Sequence, residues 1–316
     1  MAGIPPKDMA RYKRRMVLAV VHNPVFQANF PDAKRFPMPK SGAIAELLVE
    51  DGIVAPGGFH TPGPASPEWI ALAHDRRYVD QVLSANVPDA ISRQIGFRID
   101  ETMAARARHA GAGTVLAARL ALEHGIACST AGGGHHAKRT HGAGFCVFND
   151  VGISASLLLA EGTIETALAF DCDVHQGDGT ADIFRDESRV ATVSIHAEKN
   201  FPASKERSDI DVGLPDDTGD EAYLEALTDT LERSMKFLTP DIVFYNAGVD
   251  PHRDDRLGRL ALSDEGLRER DKRVIGFFRD RGIAVAGVIG GGYCDDVMEV
   301  ARRHTILHKV AAEFAD

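Results

Sequence analysis

The stretch ALAFDCDVHQGDGT, residues 167–180, joins a short apolar run to a dense polar cluster. The run Ala167–Phe170 is apolar at every position, which is typical of a strand buried on both faces of a parallel sheet. Asp171, Asp173 and His175 follow, and they project to one side if the extended conformation continues. A solvated turn is the alternative, since Asp and Gly are common in turns. Two carboxylates and an imidazole crowded together favour a bound cation, because buried charges need a partner.

Similar apolar runs alternate with longer helical patterns along the chain. The predicted strands are Met16–Val21, Ala127–Thr130, Ala167–Phe170, Val190–Ile195, Asp241–Tyr245 and Ile283–Ile289. The predicted helices include Gly111–His124, Asp150–Glu161, Asp220–Phe237, Ser263–Arg281 and Asp295–Phe314. This alternation indicates βαβ units, so we predict an α/β fold with an open parallel sheet and helices on both faces. Pro31–Pro39 and Ala55–Pro67 are expected to be ordered surface loops, and residues 1–316 a single domain without an interdomain linker.

Composition narrows the class of protein. The chain has 316 residues and a formal net charge of −10, and an acidic surface repels phosphate backbones, so we expect no nucleic-acid partner. The four cysteines form no CxxC pair, which argues against a disulfide framework and for a reducing compartment. The apolar stretch Met16–Val21 is too short for a signal sequence, and no window reaches the ~18 apolar residues of a membrane helix. We expect a cytoplasmic protein with no membrane partner, and the oligomeric state stays open.

Polar clusters also follow three other predicted strands. In open α/β sheets, ligands bind beyond the carboxyl ends of the strands. One such cluster contains Asp250, which is a candidate third metal ligand because catalytic zinc keeps three protein ligands and an open position. A helix-cap aspartate is the alternative. An Asp/His/Asp set would also accept Fe(II) or Mn(II).

The other two clusters contain a histidine pair and a tyrosine, each after a glycine run. Adjacent His135 and His136 point in different directions, so each needs its own carboxylate, and Asp171 and Asp178 are available. Such a pair beside a metal offers a general base and a general acid, in an order that stays open. Tyr293 follows Gly290–Gly292 and is placed to donate a hydrogen bond to a developing oxyanion. A half-buried loop tyrosine is the alternative.

Taken together, these motifs resemble the histone deacetylase superfamily of zinc-dependent amidohydrolases, which has the arginase–deacetylase fold. The matching motifs are AGGGHHA (131–137), GAGFCVFND (142–150), DCDVHQGDGT (171–180), VSIH (193–196), NAGVD (246–250) and GGGY (290–293). The stretches HDRRY (74–78) and NAGVDPHRDDRLGRLALS (246–263) look most like the class IV branch and its bacterial relatives.

The resemblance assigns a role to each candidate residue. It implies zinc ligands Asp173, His175 and Asp250, a catalytic pair His135 and His136 backed by Asp171 and Asp178, and the oxyanion donor Tyr293. It implies a substrate site lined by Gly134, Gly144, Phe145, Leu257, Gly291 and Gly292. It also implies a structural potassium ion held by Asp171, Asp173, His175, Ser194 and Ile195.

The implied reaction is removal of acetyl or longer acyl groups from lysine side chains of proteins or peptides, by metal-activated water. An acetylpolyamine or other small-molecule amide deacetylase is the first alternative, and the acidic composition does not separate these cationic substrates. A binuclear manganese ureohydrolase would need further metal carboxylates, whereas Asp209–Asp211 lies in a loop-like stretch. A non-catalytic acyl-lysine binder could dispense with the ligands, the dyad or the tyrosine, yet all are present.

Gly134 departs from the family pattern. Many relatives carry Leu, Trp or Phe immediately before the histidine pair, where the side chain walls the pocket beneath the zinc. Its absence here predicts room for acyl groups longer than acetyl, with about 0.8 kcal/mol gained per buried CH₂. The alternative is that another side chain fills the gap.

Overall fold

A parallel sheet forms the centre of the molecule in the computed structural model, which describes residues 18–27 and 37–315. The strands are Ala19–Val21 (β1), Ile126–Ser129 (β2), Ala167–Asp171 (β3), Val190–Ala197 (β4), Ile210–Leu214 (β5), Ile242–Asn246 (β6) and Ala284–Val288 (β7). Their order is β1-β2-β7-β6-β3-β4-β5, and every neighbouring pair is parallel. The predicted α/β architecture is confirmed.

Helices cover both faces of this sheet. They are Lys40–Glu50 (α1), Pro67–Ile70 (α2), Arg76–Leu83 (α3), Asp89–Ile95 (α4), Glu101–His124 (α5), Asp150–Ala160 (α6), Asp178–Phe184 (α7), Asp220–Ser234 (α8), Asp264–Arg279 (α9) and Val297–Glu313 (α10). A short 3-10 helix spans Pro24–Phe26. In β3, Ala167 and Ala169 pack with the α5 and α6 side, whereas Leu168 and Phe170 pack with the side of α1, α8, α9 and α10. The apolar run is therefore buried on both faces, as period-two side chains require.

Local sequence sets the ends of several helices. Helix α6 begins where the Asn149 side chain accepts the backbone N–H of Gly152, and α9 begins where Ser263 accepts that of Gly266. Helix α5 ends at Gly125, whose φ of 85° suits glycine. In the described part of the chain, no helix is both long and apolar enough to cross a bilayer.

Two sequence expectations need correction. The loop-like stretch Asp209–Asp211 enters β5, an edge strand whose exposed Asp211 interrupts the apolar run that marks the buried strands. Helix α5 begins at Glu101, ten residues before the predicted start, because its alanine-rich first half favours helix without an apolar period. Residues 16–17 of the first predicted strand and 31–36 of the first predicted loop lie outside the described residues.

The strand register brings the polar clusters together. Asp171 at the end of β3 is level with Ser194 of β4 and with Asn246 of β6. Asn246 is in turn level with Val288 of β7, which pairs with β2 on its other side. The segments that follow β2, β3, β6 and β7 therefore leave the sheet at one edge, where they form a common site.

Candidate active site

Asp173, His175 and Asp250 form a buried cluster at this edge. One potential ligand atom from each lies within 4.8 Å of the others. His175 Nδ1 is 3.0 Å from Asp173 Oδ1 and 3.1 Å from Asp250 Oδ2. Backbone groups orient both carboxylates, since the N–H of Gly291 donates to Asp173 and that of Val174 donates to Asp250. The donors are therefore arranged by the surrounding loops.

The charge balance of this metal trio (Asp173, His175 and Asp250) fits a cation. Burial and the charge of Asp173 raise the pKa of Asp250 to about 7. Burial lowers the pKa of His175, but both carboxylates outweigh it and raise that pKa to about 10. Without a metal, protonated His175 supplies the positive charge that the two buried carboxylates need, and a divalent ion that displaced this proton would supply it instead. The mixed oxygen and nitrogen donor set suits zinc, Fe(II) or Mn(II).

Two histidine–aspartate pairs lie beside the metal trio. His135 Nδ1 is 2.7 Å from Asp171 Oδ2, and His136 Nδ1 is 2.6 Å from Asp178 Oδ1. The two imidazole centroids are 4.1 Å apart. His135 Nε2 also lies 3.7 Å from Asp173 Oδ1. In each pair the carboxylate fixes one ring nitrogen and leaves Nε2 for chemistry.

The two imidazoles carry different charges. Burial lowers the pKa of His135, but the carboxylates of Asp171 and Asp173 outweigh it and raise that pKa to about 9. Burial and the charge of His135 lower the pKa of His136 to about 4, despite the bond to Asp178. At neutral pH, His135 is therefore cationic and His136 is neutral. A neutral imidazole accepts a proton, whereas a cation stabilises nearby negative charge.

A tunnel leads from the surface to these groups. Its cavity of about 670 Å³ is lined by His136, His175, Phe145, Phe201, Leu257 and Tyr293, among others. The Phe201 ring meets His136 edge-on with centroids 4.8 Å apart, and Phe145 lies 5.8 Å from the Tyr293 ring. Burial and the charge of Asp250 raise the pKa of Tyr293 well above its usual range, so the phenol stays a hydrogen-bond donor.

The sequence as a whole matches one known family. Residues 35–308 match the histone deacetylase domain. The chain belongs to the histone deacetylase family. The predicted superfamily resemblance is confirmed by this match.

Relatives of this histone deacetylase family member cover most of its length. It is 42% identical over 298 residues to an uncharacterized protein of Picosynechococcus sp. (strain ATCC 27264 / PCC 7002 / PR-6), covering 94% of this chain and 99% of that one. It is 28% identical over 288 residues to histone deacetylase 2 of Arabidopsis thaliana, covering 87% and 74%. It is 29% identical over 272 residues to the acetoin utilization protein AcuC of Staphylococcus aureus (strain MSSA476), covering 79% and 70%.

A solved structure shows the same fold. The crystal structure of the HDA15 HD domain superimposes with a TM-score of 0.78 at 22% sequence identity, covering 95% of this chain and 89% of that one. The histone deacetylase family member therefore has the arginase–deacetylase fold predicted from its motifs.

The structure distributes the predicted substrate-site residues over two cavities. Gly144, Phe145 and Leu257 line the tunnel. Gly134 and Gly291 line an inner cavity of about 70 Å³ on the far side of the metal trio, with Gly144 and Phe145 shared between the two. Gly292 lines neither cavity. It lies close to Val249 and His304, and its contact with substrate stays a prediction.

The surrounding backbone leaves no room for a side chain at Gly134. A Cβ added there would collide with the carbonyl oxygen of Phe148 and lie 3.1 Å from Asp150 Oδ1. Backbone, instead of another side chain, therefore occupies the position that a larger residue would use. The inner cavity is small and contains the charged Lys40, Arg106 and Asp150. Its polarity and size give no support to a preference for long acyl chains.

Sequence reasoning missed several groups of the site. Lys40 Nζ donates to the carbonyl of Gly290 at 2.9 Å, and burial lowers the pKa of this lysine to about 8. Asn246 Nδ2 donates to Asp171 Oδ1 at 2.9 Å. Phe201 was also missed, although an aromatic residue soon after the VSIH motif (193–196) was an available signal. Lys40 has no such local signal, because α1 reaches the site only through tertiary packing.

The residues of the predicted potassium site are adjacent. Asp171 and Ser194 are register partners on β3 and β4, and both line a cavity of about 10 Å³. Ser194 Oγ also lies 2.9 Å from His196 Nδ1. Ile195 is fully buried on β4. Potassium binding by this family member stays a prediction.

Proposed function

We propose that the protein is a metal-dependent amide hydrolase that removes acetyl groups from lysine side chains. The observation that carries this proposal is the convergence of three functions at the floor of one tunnel. His175 of the metal trio, the neutral His136 and the protonated Tyr293 all line it. An extended side chain that enters the tunnel would bring its amide carbonyl to these groups.

The residues have distinct roles in the proposed reaction. A divalent cation held by Asp173, His175 and Asp250 would polarise the amide carbonyl and activate water. His136 lines the tunnel and is neutral, so it accepts the proton of the attacking water and returns it to the leaving amine. The phenol of Tyr293 donates a hydrogen bond to the developing oxyanion. His135 stays cationic and stabilises that negative charge from the inner side.

The mouth of the tunnel favours a peptide over a polyamine. Lys199 and Arg259 line it, with side chains 68% and 54% exposed, and none of its lining residues within the described ranges 18–27 and 37–315 is a carboxylate. Asp216, which pairs with both cations, stands outside this lining. A polyamine carries several positive charges and needs negative charge at its binding site. A peptide brings an almost neutral backbone, which these cations do not repel.

A binuclear manganese ureohydrolase would need further metal carboxylates, and Asp209 and Asp211 do not support such a site. Asp209 accepts hydrogen bonds from the backbone and hydroxyl of Thr192. Asp211 accepts from the backbone N–H of Ser208 and from Gln176. These carboxylates order β5 and its approach through local hydrogen bonds.

The test of the proposal uses metal reconstitution. Chelated wild-type protein should lose hydrolysis of an acetyl-lysine peptide and regain it with Zn²⁺ or Fe(II). Asp173→Asn should bind the metal weakly and stay inactive, while Asp229→Asn, at an exposed position on α8, should behave as wild type. Full activity of the chelated protein, or of metal-free Asp173→Asn, would overturn the proposal of a metal-dependent hydrolase.

The substrate assignment has its own test. The peptide should be turned over faster than acetylated spermidine by wild type. Lys199→Glu and Arg259→Glu together should narrow this difference, because the tunnel mouth becomes acidic. Arg233→Glu on α8 is the matched exposed control and should change nothing. A wild-type preference for acetylated spermidine would overturn the lysine assignment.

A further inference from the structure

Arg270 on α9 is a buried cation that the proposed reaction does not use. It is the largest fully buried side chain in the described part of the chain, with 0% exposure. The Asp271 carboxylate pairs with it, since Asp271 Oδ1 is 3.0 Å from Arg270 Nε and 2.8 Å from Nη2. The same Oδ1 accepts the hydroxyl of Tyr245 at 2.6 Å. Such a pair is costly to bury, so its position calls for a physical reason.

The remaining guanidinium nitrogen reaches two segments of the active site. Arg270 Nη1 donates to the carbonyl of Gly248 at 2.6 Å and to that of Cys172 at 3.2 Å. Cys172 directly precedes the ligand Asp173. Gly248 lies two residues before the ligand Asp250. One nitrogen therefore links the segments that supply both carboxylates of the metal trio.

The segments that contain Cys172 and Gly248 are in direct contact beside the Arg270 guanidinium. A Cβ on Gly248 would lie 2.6 Å from Asp173 Oδ2 and 2.9 Å from its Cα, so only glycine fits there. The distance between the segments is thus set by backbone contact on one side and by the guanidinium on the other. Arginine suits this task because its planar group donates in fixed directions. Asp271 neutralises the guanidinium, so the pair does not repel a cation at the trio.

We propose that Arg270 is a positioning residue that fixes the separation of Asp173 and Asp250 and thereby sets the metal affinity of the trio. The inference rests on the proposed function, because it requires that the trio binds a metal. Without the guanidinium, the Cys172 and Gly248 carbonyls lose a shared donor and the two segments can move apart. Partners behind metal ligands typically change metal affinity about 10–100-fold when removed.

The experiment measures the Kd of Zn²⁺ and Co²⁺ by competition with a chromophoric chelator, alongside thermal unfolding of the metal-free protein. Arg270→Met should raise the Kd roughly 10–100-fold. Arg270→Lys should raise it less, because the shorter ammonium reaches at most one carbonyl. The double variant Arg270→Met with Asp271→Leu removes both buried charges and should recover stability, yet keep the weak affinity.

Arg303→Met is the matched control. Arg303 has a side chain that is 9% exposed, and its partners are the carboxylates of Asp254, Asp264 and Glu299, not carbonyls of the metal trio's segments. This variant should lose stability and keep the wild-type Kd. Wild-type affinity in folded Arg270→Met, or affinity that returns with stability in the double variant, would overturn the positioning role. Failure of wild type itself to bind either metal would instead overturn the proposed function.

Discussion

The two histidine–aspartate pairs contain the same chemical groups, but His135 is cationic and His136 is neutral. Their surroundings differ. The His135 ring lies beside a second carboxylate, Asp173, and lines the inner cavity. The His136 ring lies against Phe201 in the tunnel, and its carboxylate Asp178 also faces Lys138 at 3.4 Å. Both imidazoles have a paired carboxylate, so the difference comes from the other neighbours: Asp173 raises the pKa of His135, and the charge of His135 lowers that of His136.

The largest expected difference between the pairs is in catalysis. His136→Gln should lower kcat toward the upper end of the roughly 10²–10⁴-fold range of general acid–base catalysis, because it removes the proton acceptor in the tunnel. His135→Gln should cost clearly less, because it removes a stabilising charge only. Steady-state kinetics on an acetyl-lysine peptide measures both. Equal losses of kcat in the two variants would contradict the different roles assigned to His135 and His136.

The loss of kcat expected on removing the Tyr293 hydroxyl lies between those of the two histidine variants. Tyr293→Phe should lower kcat roughly 10²–10³-fold, as other oxyanion-donor deletions do, with little change in substrate binding. The metal Kd serves as the control and should stay unchanged, because the phenol is not a member of the trio. A loss confined to KM would show that the ring only packs against substrate.

The basic side of the pH profile of kcat/KM tests the charge assigned to His135. The carboxylates raise the pKa of His135 to about 9 in the metal-free site, and a divalent ion at Asp173 would offset part of that effect. The value of kcat/KM should therefore fall on the basic side, at or below about pH 9. Asp171→Asn removes a carboxylate that raises this pKa, so the fall should begin about one pH unit lower or more. A profile of kcat/KM from pH 6 to 10 measures the shift. An unmoved basic limb would mean that another group controls it.

The smallest effect is expected at Lys138. Lys138 and His136 both contact the Asp178 carboxylate. Lys138→Met leaves that carboxylate to the imidazole alone and should raise the pKa of His136. The acid limb of kcat/KM should then move upward by roughly half a pH unit, since a partly exposed charge is screened. Lys138→Arg retains the charge and is the control. A downward shift would contradict this account.

The sequence predicts the strands and the polar clusters at their ends well where the strands are buried and the motifs are local. The continuous apolar runs of β3, β6 and β7 indicate strands, and the polar groups after them meet because parallel strands end at one edge. The strand β5 gives no such signal, because an edge strand exposes alternate residues. Sequence also leaves the order of base and acid open, since the pKa values of the histidines depend on neighbours from several segments.

Gly134, Lys40 and Arg270 show where sequence reasoning ends. A glycine in place of a larger residue suggests a gap, but the Phe148 backbone occupies that space. Lys40 and Arg270 lie on α1 and α9, and both reach backbone carbonyls of the site that are distant in the chain. Such contacts depend on how helices pack on the sheet, and no local pattern encodes them.

The pairing of β3 with β6 also has a consequence for folding. In the chain, 75 residues separate His175 from Asp250, yet the level register of the two strands places these residues 3.1 Å apart. An unfolded chain keeps them dispersed and binds a cation weakly. A cation held by the native trio therefore acts as a non-covalent cross-link across the middle of the sheet. At a hundredfold excess over its Kd, it would stabilise the fold by about 2.7 kcal/mol, and a chelator would remove that stabilisation without touching a covalent bond.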